Sequence, residues 1–398
     1  MNGAYEVIIV GAGPAGAAAA YFLGEAGKRV LVLEKANLPR YKACGGGVSS
    51  HFLEKQFPFS LDPVIDRSVN SISYIFGKRM VTVPLHDQAV RLVMRDRFDA
   101  YLLAHARADV CQGLAVHRVL ETPTGVLVET ADGQSVAGRF VIGADGANSV
   151  VAQSAGLRRR KVMAAAIEAE VPVPAEVLHR FAEGPAFIFG HLRLGYLWIF
   201  PKADHLSVGI GALHPKPGEL QATLRRVMAN YGISLDNVPL HGHPVPVYLG
   251  REPIATKRVL LAGDAAGLVD PFLGEGIRLA IESGRLAAEA ILSGQPDHYS
   301  DQVYRQIGRN YTFILGIAPL FYSFQTASLA LLAPNPFATE AFVDLVSGRA
   351  SYPEVMLRII GTLPLYLLVE SIAACAGLLG GSSRRDEVRA AVYAGPNR

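Results

Sequence analysis

Residues 5–35 read YEVIIVGAGPAGAAAAYFLGEAGKRVLVLEK. Glu6 to Val10 is a short β-branched run, the pattern of a buried parallel strand. Gly11, Gly13 and Gly16 follow as G-x-G-x-x-G: the first allows a tight turn, the second lets backbone approach a pyrophosphate, and the third lets a helix pack on the strand. Pro14, with Ala15 beside it, suits the first turn of that helix, where a missing N–H costs nothing. The alanine-rich stretch carries the helix to Ala26, and Gly27 stops it. Arg29 to Leu33 makes a second strand. Glu34, followed by Lys35, ends it where a ribose hydroxyl would be held. Strand, turn, helix, strand and acid in this order predict a Rossmann-like dinucleotide site. An acid at 34 favours an unphosphorylated ribose, hence FAD or NAD. Gly209-Ile210-Gly211 lacks a third glycine, so a nicotinamide has no such site of its own.

Two later segments favour FAD. FVIGADGANSVV, residues 140–151, is a strand running into Gly143-Ala144-Asp145-Gly146, with Asn148 and Ser149 available to cap the next helix. RVLLAGDAAGLVDPFLGEGIRLAIESGRLAAEAI, residues 258–291, is a strand, then Gly263-Asp264, then a proline–glycine loop through Pro271 that opens a long helix from about Ile277. A carboxylate such as Asp264 can hydrogen-bond ribityl hydroxyls. The helix N-terminus after Gly274-Glu275-Gly276 favours partial negative charge, which reduced flavin carries.

GAGPAG, GADGANS and GDAAGLVDPFLGEGI, in that order, resemble the flavoprotein superfamily of aromatic hydroxylases and related reductases over roughly residues 5 to 300. Within it, PRYKACGGG at 39–47 and GYLWIFPK at 195–202 resemble the geranylgeranyl reductase family. Flavin halogenases carry two tryptophans in a motif somewhat like the second, whereas this sequence has only Trp198. VMRDRFDAYL, residues 93–102, is similar to the helix that touches the flavin pyrophosphate through an arginine. The resemblance puts Arg95 in that role, with Arg97 as substitute.

The resemblance also implies that the loop holding Cys44 passes the isoalloxazine ring. Gly45-Gly46-Gly47 then lets backbone approach a flat ring closely. The thiol could act as a redox partner, as a proton donor to a substrate carbon, or as a small packing group, and Lys42 could shift its reactivity. Cys375, in the apolar tail, is a candidate partner for Cys44.

Between about Leu157 and Arg251 the pattern becomes short alternating strands. PAFIFGHLRLGYLWIFPK and HLSVGIGAL read as antiparallel sheet, with Pro201-Lys202-Ala203-Asp204 as a turn. Tyr196, Trp198 and Phe200 share one face, either packed in the core or, as the resemblance implies, forming the wall of a lipid-sized pocket beside the flavin. His241-Gly242-His243 reads as a solvated turn, and no histidine pattern suggests a metal site. Asp62 to Val90 is poorly patterned.

Lys and Arg number 38 against 35 Asp and Glu, a net +3 that does not point to nucleic acid. Arg158-Arg159-Arg160-Lys161 and Arg384-Arg385 read as solvated loops or as contacts with anionic lipid headgroups. Cys44, Cys111 and Cys375 fit a reducing compartment without a disulfide framework. The N-terminus has no basic n-region and enters an apolar strand almost at once, unlike a signal peptide. Half of the residues are apolar, and much of the excess is C-terminal. No charge falls from Tyr311 to Thr339, long enough to span a bilayer, and Ile359 to Val369 is a second apolar run. Pro319, Gln325 and Pro334-Asn335-Pro336 interrupt the first, so two helices are expected there, lining an apolar pocket or lying on a membrane.

The expected architecture is α/β. A Rossmann-like FAD-binding domain of the glutathione-reductase/aromatic-hydroxylase type comes from residues 1–60, 91–156 and 257–298. An antiparallel substrate-binding sheet comes from 61–90 and 157–256, and a hydrophobic helical region from 299–398. The expected activity is FAD-dependent saturation of C=C bonds in a geranylgeranyl or other polyprenyl group. Cys44 is the candidate catalytic residue, and NADPH, a deazaflavin or ferredoxin the external electron donor. The rivals are a flavin monooxygenase acting on a lipophilic substrate and a non-catalytic membrane-associated flavoprotein. The expected location is cytoplasmic and peripheral on a membrane.

Overall fold

The computed structural model describes residues 5–85 and 89–393. The extreme ends of the first and last expected segments, and 86–88 within 61–90, lie outside them. Tyr5–Val10 pairs in parallel with Val30–Glu34 on one side and Ser135–Gly143 on the other. Asp109–Gln112 extends the sheet beyond Val30–Glu34, and Val259–Leu261 joins Ser135–Gly143, again in parallel. Val126–Thr130 and Val116–Glu121 complete it as an antiparallel edge. Helix Pro14–Glu25 begins with proline at its first turn and ends before Gly27, which takes a φ of 73°. A Cβ at Gly16 would lie 1.9 Å from the Gly11 carbonyl oxygen, so only glycine lets this helix lie on its strand.

The second sheet runs in the order His241–Pro246, Met163–Pro172, His205–Leu213, Gly195–Pro201, Ala186–Phe189, Ser71–Phe76, Arg79–Pro84. It is antiparallel except where Ala186–Phe189 runs parallel to Ser71–Phe76. The poorly patterned stretch therefore supplies a hairpin to this sheet. Gly47–Ser49, Ile65–Ser68 and Val90–Val93 form a small separate sheet. That sheet takes strands from both sides of the expected cuts at 60/61 and 90/91, so the chain is not divided cleanly there.

One face of the second sheet packs a core of Ala169, Leu197, Ile199, Val208 and Ile210 under helix Glu219–Ala229. The alternate positions Glu168, Trp198 and Gly209 share a cross-strand row on the opposite face, which looks toward the first sheet.

The uncharged run breaks into helices Arg309–Ser323 and Gln325–Leu332, with a third starting at Pro336. Asn335 caps that third helix by accepting from the Phe337 and Ala338 N–H groups. The stretch long and apolar enough to cross a membrane is instead Tyr352–Leu378, which contains the second run. It belongs to a helical segment, Tyr352–Tyr393, that doubles back: Tyr393 stacks on Tyr366, and Arg389 binds Glu370. Nineteen residues of straight helix would put Arg389 about 28 Å from Glu370.

Candidate functional site

Between the two sheets and the C-terminal helices lies one cavity of about 1080 Å³. Gly11, Gly13, Pro14, Ala15, Glu34, Lys35 and Asp145 line its nucleotide-sheet end. Cys44, Gly45, Gly46, Gly47, Arg95, Asp264, Pro271, Gly274, Gly276 and Ile277 line its middle, opposite Tyr196, Trp198 and Phe200. Gly16 and Gly263 stand behind this wall. Gly263 is needed at a φ of 59°, where a Cβ would press on Ala15 and Ala280.

At the nucleotide end the carboxylate of Glu34 accepts from the Ala12 N–H at 2.7 Å and from the Ala36 N–H at 3.0 Å. Asp145 binds the Ser149 hydroxyl at 2.5 Å and the Val150 N–H at 2.7 Å, so it mainly secures the helix that Ser149 caps. Arg95 is buried, with Nε and Nη2 both donating to the Asp99 carboxylate at 2.9 Å. Arg97, the expected substitute, is exposed and pairs with Asp66 at 2.6 Å. Arg40 is the arginine that sequence reasoning missed, although it stands inside PRYKACGGG. One of its nitrogens reaches Asp99 at 3.2 Å, while Nη1 is buried without a partner. The nitrogen on Asp99, Nη2, is also the group nearest Gly13.

The two motifs singled out in the sequence pack on one another. A Cβ on Gly45 would sit 2.9 Å from the Phe200 ring and 3.3 Å from Trp198 Nε1, and one on Gly46 would sit 2.1 Å from the Val93 carbonyl oxygen. The glycines are therefore required by the protein's own aromatic rings and backbone, whatever approaches from the cavity. Lys202 is not in a solvated turn. It is wholly buried, and its ammonium donates to the carbonyls of Gly45 and Val93. The Gly46 N–H points at Cys44 Sγ from 3.4 Å, and the Arg95 guanidinium is close enough to interact with the sulfur electrostatically. Cys44 and Cys375 are free thiols, the latter exposed, so the imagined pairing is absent.

His241–Pro246 is a strand and not a solvated turn. His243 Nε2 lies 2.5 Å from Lys42 Nζ and 3.9 Å from Asp264. Burial raises the Asp264 carboxyl, but the His243 hydrogen bond and Lys42 outweigh it and hold it below its ordinary range. Burial pushes the Lys42 ammonium down. Arg158 also departs from the solvated reading: it is buried against Glu252 at 2.8 Å. No cluster of metal-ligating side chains occurs among the described residues.

A family model for an FAD binding domain matches residues 4–193. The digeranylgeranylglycerophospholipid reductase 2 of Methanopyrus kandleri is 30% identical over 87% of this chain and 93% of its own. The chain belongs to the geranylgeranyl reductase family. The menaquinone reductase of Mycolicibacterium smegmatis is 29% identical to this reductase over 98% of this chain and 99% of its own. A geranylgeranyl bacteriochlorophyll reductase-like protein from Thermoplasma acidophilum has the same fold, with a TM-score of 0.74 and 25% identity over 90% of this chain and 99% of that one.

The reductase is thus an FAD-dependent oxidoreductase with the aromatic-hydroxylase-like fold. Its cavity fits the cofactor. Gly13 is open toward the cavity, the buried Nη1 of Arg40 lacks an acceptor that a pyrophosphate could supply, and Glu34 closes the second strand.

Proposed function

We propose that this reductase saturates C=C bonds in the polyprenyl chain of an isoprenoid lipid, diphosphate or pigment. The observation that carries this reading is the continuity of the cavity. From Cys44 and Trp198 it runs on between the C-terminal helices, where Ile314, Ala318, Phe321, Leu332, Phe342 and Ile359 line it. This apolar lining, continuous with the dinucleotide end, suits a chain-like apolar ligand beside the cofactor. Bound FAD, once reduced, supplies a hydride to one alkene carbon. Trp198, Phe200 and Phe187 give the chain a flat apolar wall, and the surrounding helices keep water away. Cys44 gives the proton to the second carbon, and the Arg95 guanidinium and Gly46 N–H hold the sulfur as it does so. The electrons come from an external donor of the NADPH, deazaflavin or ferredoxin class.

The same reading places the protein on a membrane surface from the cytoplasmic side. Leu357, Ile360, Leu368 and Ile372 are exposed along the apolar arm of the C-terminal segment, whereas Tyr366, Val369 and Ala373 are buried. Glu370, in the middle of that arm, pairs with Arg389 of the returning arm. A charged hairpin with one face packed on protein suits an interfacial position better than a crossing. The test of function is anaerobic: flavin in the reduced protein should reoxidise on adding geranylgeranyl diphosphate, and a requirement for oxygen would favour a monooxygenase.

A further inference from the structure

A line of proton-bearing side chains connects solvent to the cavity at the Cys44 loop. Asp204, whose side chain is 87% exposed, lies 2.6 Å from His205 Nδ1, and His205 Nε2 lies 2.8 Å from Glu170. Glu170 lies on the same face of strand Met163–Pro172 as Glu168, two positions back, close enough for their charges to interact. Glu168 is buried, lines the cavity, and accepts from Ser207 Oγ at 2.9 Å and from the Tyr41 hydroxyl. Tyr41 lines the same cavity three residues before Cys44, with its ring tilted against His241. Nothing in FAD binding or prenyl packing calls for two neighbouring carboxyls at this place.

We propose that Asp204, His205, Glu170, Glu168 and Tyr41 form a proton-input line that restores the Cys44 proton after each double bond is reduced. This rests on the reductase reading given above. In that reaction the Cys44 S–H bond breaks and a C–H bond forms on the alkene, while reduced FAD provides the electron pair as hydride to the neighbouring carbon. The thiolate then takes the Tyr41 hydroxyl proton, Tyr41 takes one from Glu168, and Glu168 is refilled through Glu170 and His205 from water. One solvent proton enters through this line per double bond, and the flavin is restored by a hydride equivalent, two electrons from the external donor together with one further proton.

Two neighbouring carboxyls cannot both ionise cheaply. Burial and then the charge of Glu170 push the Glu168 carboxyl up to about 8, against the Tyr41 and Ser207 hydrogen bonds. Glu168 therefore holds a proton at neutral pH, as a store must. Burial and then Glu168 raise Tyr41, so its hydroxyl passes a proton on without resting as phenolate. The cations nearest this corner are Lys202, which senses both Glu170 and Glu168, and His205. Burial opposes the charge of His205, and Glu170 and Asp204 outweigh it, raising the imidazole so that it carries protons near neutrality.

The test uses FAD-loaded, oxidised protein without substrate, followed by infrared spectroscopy from acid to alkaline pH. A protonated-carboxyl C=O band should persist at neutral pH, disappear near pH 8, and be missing in Glu168→Gln, which keeps hydrogen bonds to Tyr41 and Ser207. His205→Gln should keep the band but slow repeated turnover relative to a single turnover by roughly tenfold or more, with FAD content unchanged. A neutral-pH band unaffected by Glu168→Gln, or multiple-turnover rates and pH profiles of both variants equal to wild type, would overturn the proposal. A wild type that leaves every prenyl acceptor unreduced would instead sink the reductase reading, and the carboxyl band would still decide whether Glu168 stores a proton.

Discussion

The ammonium of Lys202 donates to the carbonyl oxygen of Gly45 at 2.8 Å. Its second bond, to Val93 at 3.0 Å, fastens the Cys44 loop and the small sheet to the end of strand Gly195–Pro201. Burial lowers the Lys202 pKa, and the carboxylates around it, Glu170 and Asp66 among them, oppose that shift. Lys202→Met keeps the bulk but orphans two buried carbonyls, at about 1–3 kcal/mol each. The variant should melt well below wild type and lose FAD on gel filtration. Unchanged melting and FAD content would show that Lys202 is not a clamp.

Gly45→Ala sets a methyl against the Phe200 ring, where a Cβ has only 2.9 Å. Overpacking of this kind costs about 1–3 kcal/mol. FAD retention should fall, and adding Phe200→Leu should recover part of it, because the two residues share the contact. Equal losses in the single and double variants would place the strain elsewhere.

Glu168 gives stability its own pH dependence. The native carboxyl titrates near 8, and its ordinary value is 4.5. Between these the folded protein holds a proton that the unfolded chain has released. The contribution is complete below about 4.5 and is lost as pH rises through about 8. Between roughly pH 5 and pH 9 the melting temperature of Glu168→Gln should therefore fall less than that of wild type. Parallel curves for the two proteins would mean that Glu168 is ionised in the native state.

The C-terminal arm exposes Leu357, Ile360 and Leu368 at 71%, 61% and 58%. If this face enters a lipid headgroup layer, the protein should float with vesicles of mixed neutral and anionic lipid. Replacing all three leucine and isoleucine side chains by lysine should abolish flotation while leaving FAD content intact. Flotation undiminished by the triple substitution would contradict membrane attachment through this arm.

What could be read from the sequence was local. The glycine turn of residues 11–16, Glu34, the Ser149 cap and the helix from Ile277 each follow from neighbours a few residues away. Gln325 and Pro334-Asn335-Pro336 likewise marked where the uncharged run would break, whereas helix Arg309–Ser323 runs through Pro319, which was also expected to interrupt it. Lys202 was hidden because a lysine after proline looks like a solvated turn until Gly45, 157 residues earlier, is known to cover it. Arg40 was in plain view, but the arginine of the 93–102 helix drew the role that its pairing with Asp99 restricts. Glu168 and His243 were illegible for the same reason as Lys202: their partners, Tyr41 and Lys42, come from a loop that meets them only across the cavity. The flavin was a sufficient reason for Gly45-Gly46-Gly47 until Phe200 and Trp198 supplied a nearer one.

Prenyl reduction is tested most directly by a single turnover without oxygen. The bound flavin is reduced with dithionite, geranylgeranyl diphosphate is added, and flavin absorbance is followed alongside mass analysis of the lipid. The predicted result is reoxidation in step with a gain of two hydrogens per double bond, slowed about a hundredfold or more in Cys44→Ser that still holds FAD. Flavin that stays reduced with geranylgeranyl and other prenyl acceptors, then reoxidises on admitting oxygen with a hydroxylated product, would contradict it.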